Sequence, residues 1–334
     1  MEKILSISVA AYNVEQYIEQ LLDSIIAANV NDKVEVLVVN DGGTDRTLEI
    51  AKEYEKKYPG TVIPVDKPNG GHGSTINKGI ELATGKYFRA LDGDDWLESE
   101  ALTELIGILE KTDVDIVISN YSDKYEDGRE IYWPMKNLEH GKVYQFDEIV
   151  DSIEWITYHY LIYKTSILKE HNIRLTEHCF YVDYEFCLYP IIYVQDCLYL
   201  DTPLYCYRRG LDEQSVSSKG RKKHCDNSET VAKNLLAFLN QHQDDPTPAK
   251  KKYVERVTCS QCHKHYNTIM LFDASEEKKN EILEYDRYVK EQSPVVYNMI
   301  GDLSSTIRFI RRHKGKFYSA VIAYRKKKYK EMYQ

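Results

Sequence analysis

A chain of 334 residues is long enough for one large domain, or for a large domain with a smaller addition, and buries a substantial core. With 43% hydrophobic and 29% charged residues, 16 Gly and 9 Pro, it is neither wholly disordered nor collagen-like. The net charge of -9 is unevenly placed: Leu303 to Lys330 holds ten Lys/Arg and no acid, leaving +10 there and -19 elsewhere.

Ile4 to Ala10 reads as a buried strand, and Glu15 to Asn29 as a helix with Ile18, Leu21, Leu22, Ile25 and Ile26 on one face. Val34 to Val39 is the next strand, Thr47 to Tyr58 a helix, Val62 to Val65 a strand, Ser74 to Leu82 a helix and Tyr87 to Leu91 a strand. Glu98 to Leu109 and Ile116 to Ile118 complete the alternation, which predicts a mostly parallel sheet covered by helices. Ligands are expected at the strand ends.

From 120 to 209 the sequence is mixed and rich in Tyr, with strands around Ile131, Tyr158 to Tyr163, Cys197 to Leu200 and Leu204 to Arg208. Tyr184 to Tyr193 reads as a helix interrupted or bent by Pro190. After a polar connection, helices are expected over Asn227 to Asn240, Lys252 to Phe272, Glu276 to Gln292 and Leu303 to Arg311, with Phe317 to Tyr329 continuing the basic tail. The expected organisation is therefore 1–215, divided into halves 1–119 and 120–215, followed by a helical 216–334. No fixed-period repeat supports a solenoid or propeller.

The N-terminus has no secretory pattern and no 18-residue apolar run occurs, so a cytoplasmic location is expected. The seven Cys lie at 179, 187, 197, 206, 225, 259 and 262, and their odd number predicts reduced thiols. Cys259, Cys262, His263 and His265 invite comparison with zinc ligands. Their helical spacing places them along one short helix, where they do not easily surround an ion tetrahedrally.

Chemistry concentrates where polar residues follow apolar runs. Asp41-Gly42-Gly43-Thr44-Asp45 follows a strand and puts two acids on pliable backbone; a turn and helix cap also accounts for it. Asn69-Gly70-Gly71-His72-Gly73-Ser74-Thr75 can bring amides and a helix N-terminus to phosphate, with His72 contacting phosphate or sugar, or facing solvent. It lacks a P-loop lysine, which disfavours an ATPase. Asp92-Gly93-Asp94-Asp95-Trp96 crowds three carboxylates at a strand end, where Mg²⁺ or Mn²⁺ would relieve their repulsion; a turn and cap is the plainer account.

Taken in order, Tyr12-Asn13, Asp41-Gly42-Gly43-Thr44-Asp45, Asn69-Gly70-Gly71 and Asp92-Gly93-Asp94-Asp95-Trp96 resemble the inverting nucleotide-sugar glycosyltransferases of family 2, which have the α/β GT-A fold. The resemblance implies that Ala11, Tyr12 and Asp41 surround the donor base, and that Asn69, Gly70 and Gly71 belong to the donor site. It places Asp92 near the ribose or sugar, Asp94 on the metal, and Asp95 orienting the loop or the acceptor. UDP is the commonest donor nucleotide by this analogy, which makes 1–215 a catalytic domain with 1–119 its nucleotide-sugar-binding half and 120–215 its acceptor-binding half. Two departures stand out: Gly43 replaces a familiar serine, and Ile76 a familiar arginine, while Asn77 and Gly79 are retained.

Asp183-Tyr184-Glu185-Phe186 is similar to the family's acidic acceptor-side motif, with Val182 in place of the usual preceding glutamate. The resemblance makes Asp183 the general base, with Glu185 and His178 as local substitutes, in a direct inversion at the anomeric carbon. Helix capping also explains Asp183. Tyr205 to Arg209 and Asp212 to Ser217 are similar to the end of the catalytic domain, so Arg208 and Arg209 either contact diphosphate or a charged acceptor or form a solvent-facing basic pair. The implied acceptor is a glycan or lipid-linked saccharide in cell-envelope or capsular polysaccharide synthesis.

The basic tail interleaves Phe309, Ile310, Phe317, Val321, Ile322 and Tyr324 with cations, and either meets an anionic membrane surface, wraps the acidic domain or stays in solvent. Peripheral attachment to the cytoplasmic membrane face would suit the implied acceptor. Nucleic acid is not an expected partner, and oligomeric state is open. Two other functions stay in view. A Rossmann oxidoreductase lacks its glycine fingerprint after the first strand. A catalytically inactive carbohydrate-binding or scaffold protein would keep the fold without turnover.

Overall fold

Strands β1 (Leu5–Ala11), β2 (Val34–Asp41), β3 (Val62–Lys67) and β4 (Tyr87–Asp92) pair in parallel in the order β3-β2-β1-β4. Helices α1 (Ile18–Ile26), α2 (Thr47–Lys57) and α3 (His72–Leu82) make the crossovers. The computed structural model describes residues 2–210 and 217–329. They belong to two units, Met1–Gly210 and Leu211–Gln334; the expected boundary at 215, and the motif residues 212–216, lie outside the described residues.

The helices form because their apolar residues recur on one side: Ile18, Leu21, Leu22 and Ile25 of α1 are all buried. α3 sits unusually close to β1. A Cβ added at Gly79 would lie 1.9 Å from Ser8 Oγ, so only glycine allows this approach. Within the sheet, Glu35 is 3% exposed and accepts from Ser6 Oγ at 2.5 Å and from Thr84 N and Oγ1 at 2.6 and 2.8 Å. These three bonds supply the partners that a buried carboxylate requires.

The second half of the unit extends the same sheet with reversed strands. After β5 (Trp96–Leu97) and α4 (Ser99–Leu109) come β6 (Ile116–Tyr125), β7 (Glu130–Trp133), β8 (Val143–Gln145) and α5 (Phe146–Ile149). A 3₁₀ turn at Tyr158–Tyr160 leads into β9 (Leu161–Lys164), followed by α6 (Thr165–Glu170) and α7 (Asp183–Leu188). β10 (Asp196–Arg209) runs parallel to β6. Where two strands were expected there is one, with register shifts flanking Pro203; the irregularity absorbs a residue that cannot donate to the ladder. The helix expected to bend at Pro190 ends at Leu188 and continues as a 3₁₀ turn, Tyr189–Tyr193.

The second unit is helical: α8 (Ser218–Lys223), α9 (Cys225–Gln241), α10 (Pro248–Ile269), α11 (Glu276–Gln292), α12 (Pro294–Leu303), α13 (Ser305–Arg312) and α14 (Tyr318–Lys328). Ser217, Thr247, Ser275, Ser293 and Ser304 each accept a backbone N–H at a helix start. The basic tail is anchored: Ile307, Ile310, Tyr318, Ile322 and Arg325 are buried, and Arg311 bonds Asp286 at 2.7 Å beneath the Tyr297 ring. Phe309 and Phe317 stay exposed at 41% and 50%. All seven cysteines are buried and none forms a disulfide with another, Cys259 and Cys262 lying within α10. Among the described residues no helix is long and apolar enough to cross a membrane.

Candidate active site

The carboxyl ends of β1, β2 and β4 carry the residues singled out by sequence. Asp41 ends β2 with its carboxylate buried, accepting from Gly70 N and Gly71 N at 2.8 Å each and from Lys67 Nζ at 2.6 Å. Asn69 Nδ2 donates to the Asp41 carbonyl at 2.9 Å. Gly71 adopts φ 80°, the left-handed region, and delivers the chain into α3. Asp41 thus shapes the glycine loop, while Ala11 closes β1 beneath and Tyr12 stands 55% exposed beside it.

The loops after β1 and β2 are tied together by the other polar residues. Asn13 Oδ1 accepts from Thr44 N at 2.8 Å, Asp45 Oδ2 from Glu15 N at 2.9 Å, and Glu15 Oε2 from Arg46 N at 2.8 Å. Gly43 lies inside this knot. A Cβ there would stand 2.8 Å from Asn40 Oδ1 and 3.1 Å from Asn13 Oδ1, which accounts for glycine in place of serine. Ile76 is buried in α3, whereas Asn77 bonds both backbone groups of Leu175, at 2.9 and 2.8 Å.

Asp92 is met by His72, whose Nε2 lies 3.0 Å from Oδ1, and by the hydroxyls of Tyr158 and Tyr205 at 3.4 and 3.5 Å. Burial alone would raise its carboxyl, but the His72 contact outweighs that and holds it below the usual range. Asp94, half-buried at the lip, behaves oppositely: burial first, then the Asp92 charge, push its carboxyl up to about 6. Asp95 is 1% exposed and takes the Tyr205 O–H at 2.5 Å and Arg208 N at 2.7 Å; burial, then Asp94 and Asp92, raise it well above the ordinary value.

His159 joins this cluster without having been singled out by sequence. One ligand atom each from Asp92, Asp95 and His159 lie within 4.8 Å of one another, the only such group of three found among the described residues. Burial pushes the His159 imidazole down to about 4, leaving it neutral and able to donate an electron pair to a cation. Underneath, Arg89 is fully buried, bonds His159 O at 2.5 Å and lies 5.2 Å from the Tyr205 ring centroid; burial lowers it to about 10. Two carboxylates and a neutral imidazole suit a divalent ion, and Asp94, which lies outside this group of three, adds a third acid whose affinity for a proton is raised beside Asp92.

Asp183 opens α7, and its charge adds to that of Asp92 in raising the His72 imidazole against the opposing effect of burial. Glu185, by contrast, is fully buried and taken up by Thr176 N and Oγ1 at 2.7 and 2.8 Å. His178 is exposed, and its backbone N–H bonds Gly70 O at 2.5 Å. Arg208 donates to Asp94 O at 2.8 Å and Gln20 Oε1 at 2.6 Å between the rings of Tyr17 and Trp96. Arg209 pairs with Asp123 at 3.2 Å over the Tyr207 ring.

A family model described as glycosyl transferase family 2 matches residues 6–172. The uncharacterized glycosyltransferase EpsJ of Bacillus subtilis is 32% identical over 217 residues, 62% of each chain, so this chain spans less than two thirds of that relative. Poly(ribitol-phosphate) beta-glucosyltransferase of Bacillus spizizenii is 31% identical over 177 residues, 52% of this chain and 27% of that one. The structure of S. aureus TarS 1-349 in complex with UDP-GlcNAc superposes with a TM-score of 0.69 at 19% identity, covering 97% of this chain and 92% of that one.

Proposed function

The chain belongs to glycosyl transferase family 2, and from that premise we propose that it transfers a sugar, with inversion, from a UDP-sugar to a hydroxyl of a glycan or lipid-linked saccharide. One observation carries the reading: the glycine loop held by Asp41 and the three crowded acids Asp92, Asp94 and Asp95 lie at the carboxyl ends of β2 and β4, the parallel strands on either side of β1. Such a strand edge suits a nucleoside diphosphate. The name of the Bacillus spizizenii relative, a poly(ribitol-phosphate) beta-glucosyltransferase, supports a cell-envelope polymer as acceptor, and the UDP-GlcNAc in the TarS structure supports a UDP-sugar donor.

Ala11, Tyr12, Asp41 and Asn69 border the base and ribose, and Gly70 and Gly71 keep the loop close to the donor. Asp183 accepts the acceptor's hydroxyl proton as that oxygen attacks the anomeric carbon from the face opposite the diphosphate. The bond from that carbon to the diphosphate oxygen breaks, and its electron pair departs with the nucleoside diphosphate. No carboxylate bonds the sugar, so one displacement inverts the centre. A Mg²⁺ or Mn²⁺ ion held by Asp94, beside the gathered ligand atoms of Asp92, Asp95 and His159, would supply positive charge to the diphosphate. Asp95, secured by Tyr205 and Arg208, orients the loop. Arg208 and His72 line the diphosphate side.

The exposed Phe309 and Phe317 amid the tail's cations suit peripheral contact with an anionic membrane from the cytoplasmic side. The test of the main reading is a screen of nucleotide sugars and acceptor glycans with Mg²⁺ or Mn²⁺, followed by the product's anomeric configuration. Inverted product supports it. Donor binding with no transfer to any acceptor would replace it with a carbohydrate-binding or scaffold role.

A further inference from the structure

On α9 and α11 of the second unit, lysines find acids one turn away: Lys233 pairs with Glu229 at 2.7 Å and Lys278 with Glu281 at 2.6 Å. α8 and α14 offer no such partner, since neither contains an acid; α8 reads Ser-Lys-Gly-Arg-Lys-Lys and α14 closes on Arg-Lys-Lys-Lys. Folding nevertheless brings these two helices, distant in sequence, to the last turns of α10. Arg221 of α8 bonds Lys264 O at 3.3 Å and Thr268 Oγ1 at 3.1 Å, and Arg325 of α14 bonds Asn267 Oδ1 at 3.1 Å. Those acceptors are neutral, so these bonds anchor the helices without cancelling a charge.

One acid answers both helices. Lys326 bonds Asp273, just beyond α10, and its charge, followed by that of Lys222, holds the Asp273 carboxyl below the usual range. Lys219 and Lys223 of α8 and Lys327 and Lys328 of α14 are exposed. Like charges gathered by a fold repel, and an anionic partner removes that cost. A single small anion does not reach lysines on two helices, whereas a polymer charged at every repeat does. The ammonium groups are rotatable point charges that suit phosphate; the forked guanidinium groups of Arg221 and Arg325, better matched to planar carboxylates, are committed to α10. α8 also carries no apolar side chain to enter a bilayer, unlike α13 and the turn into α14, with their exposed Phe309 and Phe317.

We propose that α8 and the end of α14 form a binding surface for a phosphodiester-linked polymer, held by Lys219, Lys222, Lys223, Lys326, Lys327 and Lys328. The assignment rests on the reading of a cell-envelope polymer as acceptor, to which it adds the charge of that polymer and a hold on it by residues of the second unit. Contacts to phosphate position a chain without reading the groups it carries, so the surface retains the polymer whichever repeat is presented for transfer.

Calorimetry on the whole chain tests it, with poly(glycerol phosphate), hyaluronan, neutral dextran and phosphatidylglycerol vesicles as probes at several salt concentrations, and UDP titrated separately. Poly(glycerol phosphate) should bind and weaken steeply as salt rises, the signature of counterion release, and dextran should not bind. Lys219→Gln/Lys223→Gln combined with Lys327→Gln/Lys328→Gln spares the two lysines that act on Asp273, so the urea midpoint should not fall. This fourfold variant should bind the polymer more weakly by about tenfold or more, with a shallower salt dependence, and bind UDP like wild type. Each double variant alone should lose part of the affinity, which decides the matter should the fourfold one fold poorly. No polymer binding by a wild-type protein that binds UDP would overturn the surface, as would equal polymer affinity in variants and wild type. Hyaluronan bound as tightly as poly(glycerol phosphate) would overturn the choice of phosphate. Lysine-dependent binding to vesicles without binding to the polymer would overturn it in favour of a membrane. Lysine-dependent polymer binding in a protein indifferent to UDP would support the surface and sink the donor reading instead.

Discussion

Asp94 and Asp183 are separated by the role each would lose as an amide. Asp94→Asn removes a lip carboxylate that burial and Asp92 have already made reluctant to ionise, so the fold should stand while metal-dependent donor binding weakens. Unchanged UDP-sugar affinity with and without Mn²⁺, by calorimetry, would contradict the assignment. Asp183→Asn should leave donor affinity near wild type and lower the initial transfer rate by about 10²-fold or more, the scale of lost general-base catalysis. Near-wild-type turnover would remove Asp183 from that role. Arg89 serves the site from below, and Arg89→Ala leaves His159 O unmatched and opens a cavity. It should destabilise the protein by about 3 kcal/mol, read from the urea midpoint. The three acids were legible because they fall within four successive positions, Asp92 to Asp95. His159 and Arg89 were not, since they meet across 70 positions and neither sits in a distinctive local pattern.

Elements differ in how much their own residues specify. The parallel half was readable strand by strand because both faces are buried and every crossover carries an amphipathic helix. Its tightest joint, α3 on β1, gives a direct test. Gly79→Ala forces Ser8 or the helix to move and should cost about 1–3 kcal/mol by overpacking, with unchanged midpoint arguing against the close seat. β10 was misread as two strands because Thr202-Pro203 looks like a break in sequence, while only pairing with β6 reveals that the strand passes through it. α12 escaped notice although Ser293 and Pro294 form a cap and first-turn signal, because its polar flanks dilute the apolar run. The edge strand β7 draws its meaning from its neighbour: Trp133 meets Tyr121 only because β7 pairs with β6 in that register.

At the scale of the whole molecule, the lopsided charge visible in composition becomes a surface. The tail's buried residues rule out deletion as a clean probe, since it would strip Ile307, Ile310, Tyr318 and Ile322 from the second unit. Replacing exposed Phe309 and Phe317 with Ser is gentler. The double variant should bind phosphatidylglycerol vesicles less well than wild type in a sedimentation assay, and equal binding would reject membrane contact through these rings. The buried thiols carry a different consequence. Burial raises every one of them, Cys179 to about 11 and Cys197, Cys225, Cys259 and Cys262 to about 12, so native protein should resist iodoacetamide at neutral pH. Four of the seven fall in the first unit and three in the second. The chain therefore carries its own unfolding tally. Intact mass after a labelling pulse in rising urea should step by three or four adducts if the units melt separately, and by seven at once if they melt together.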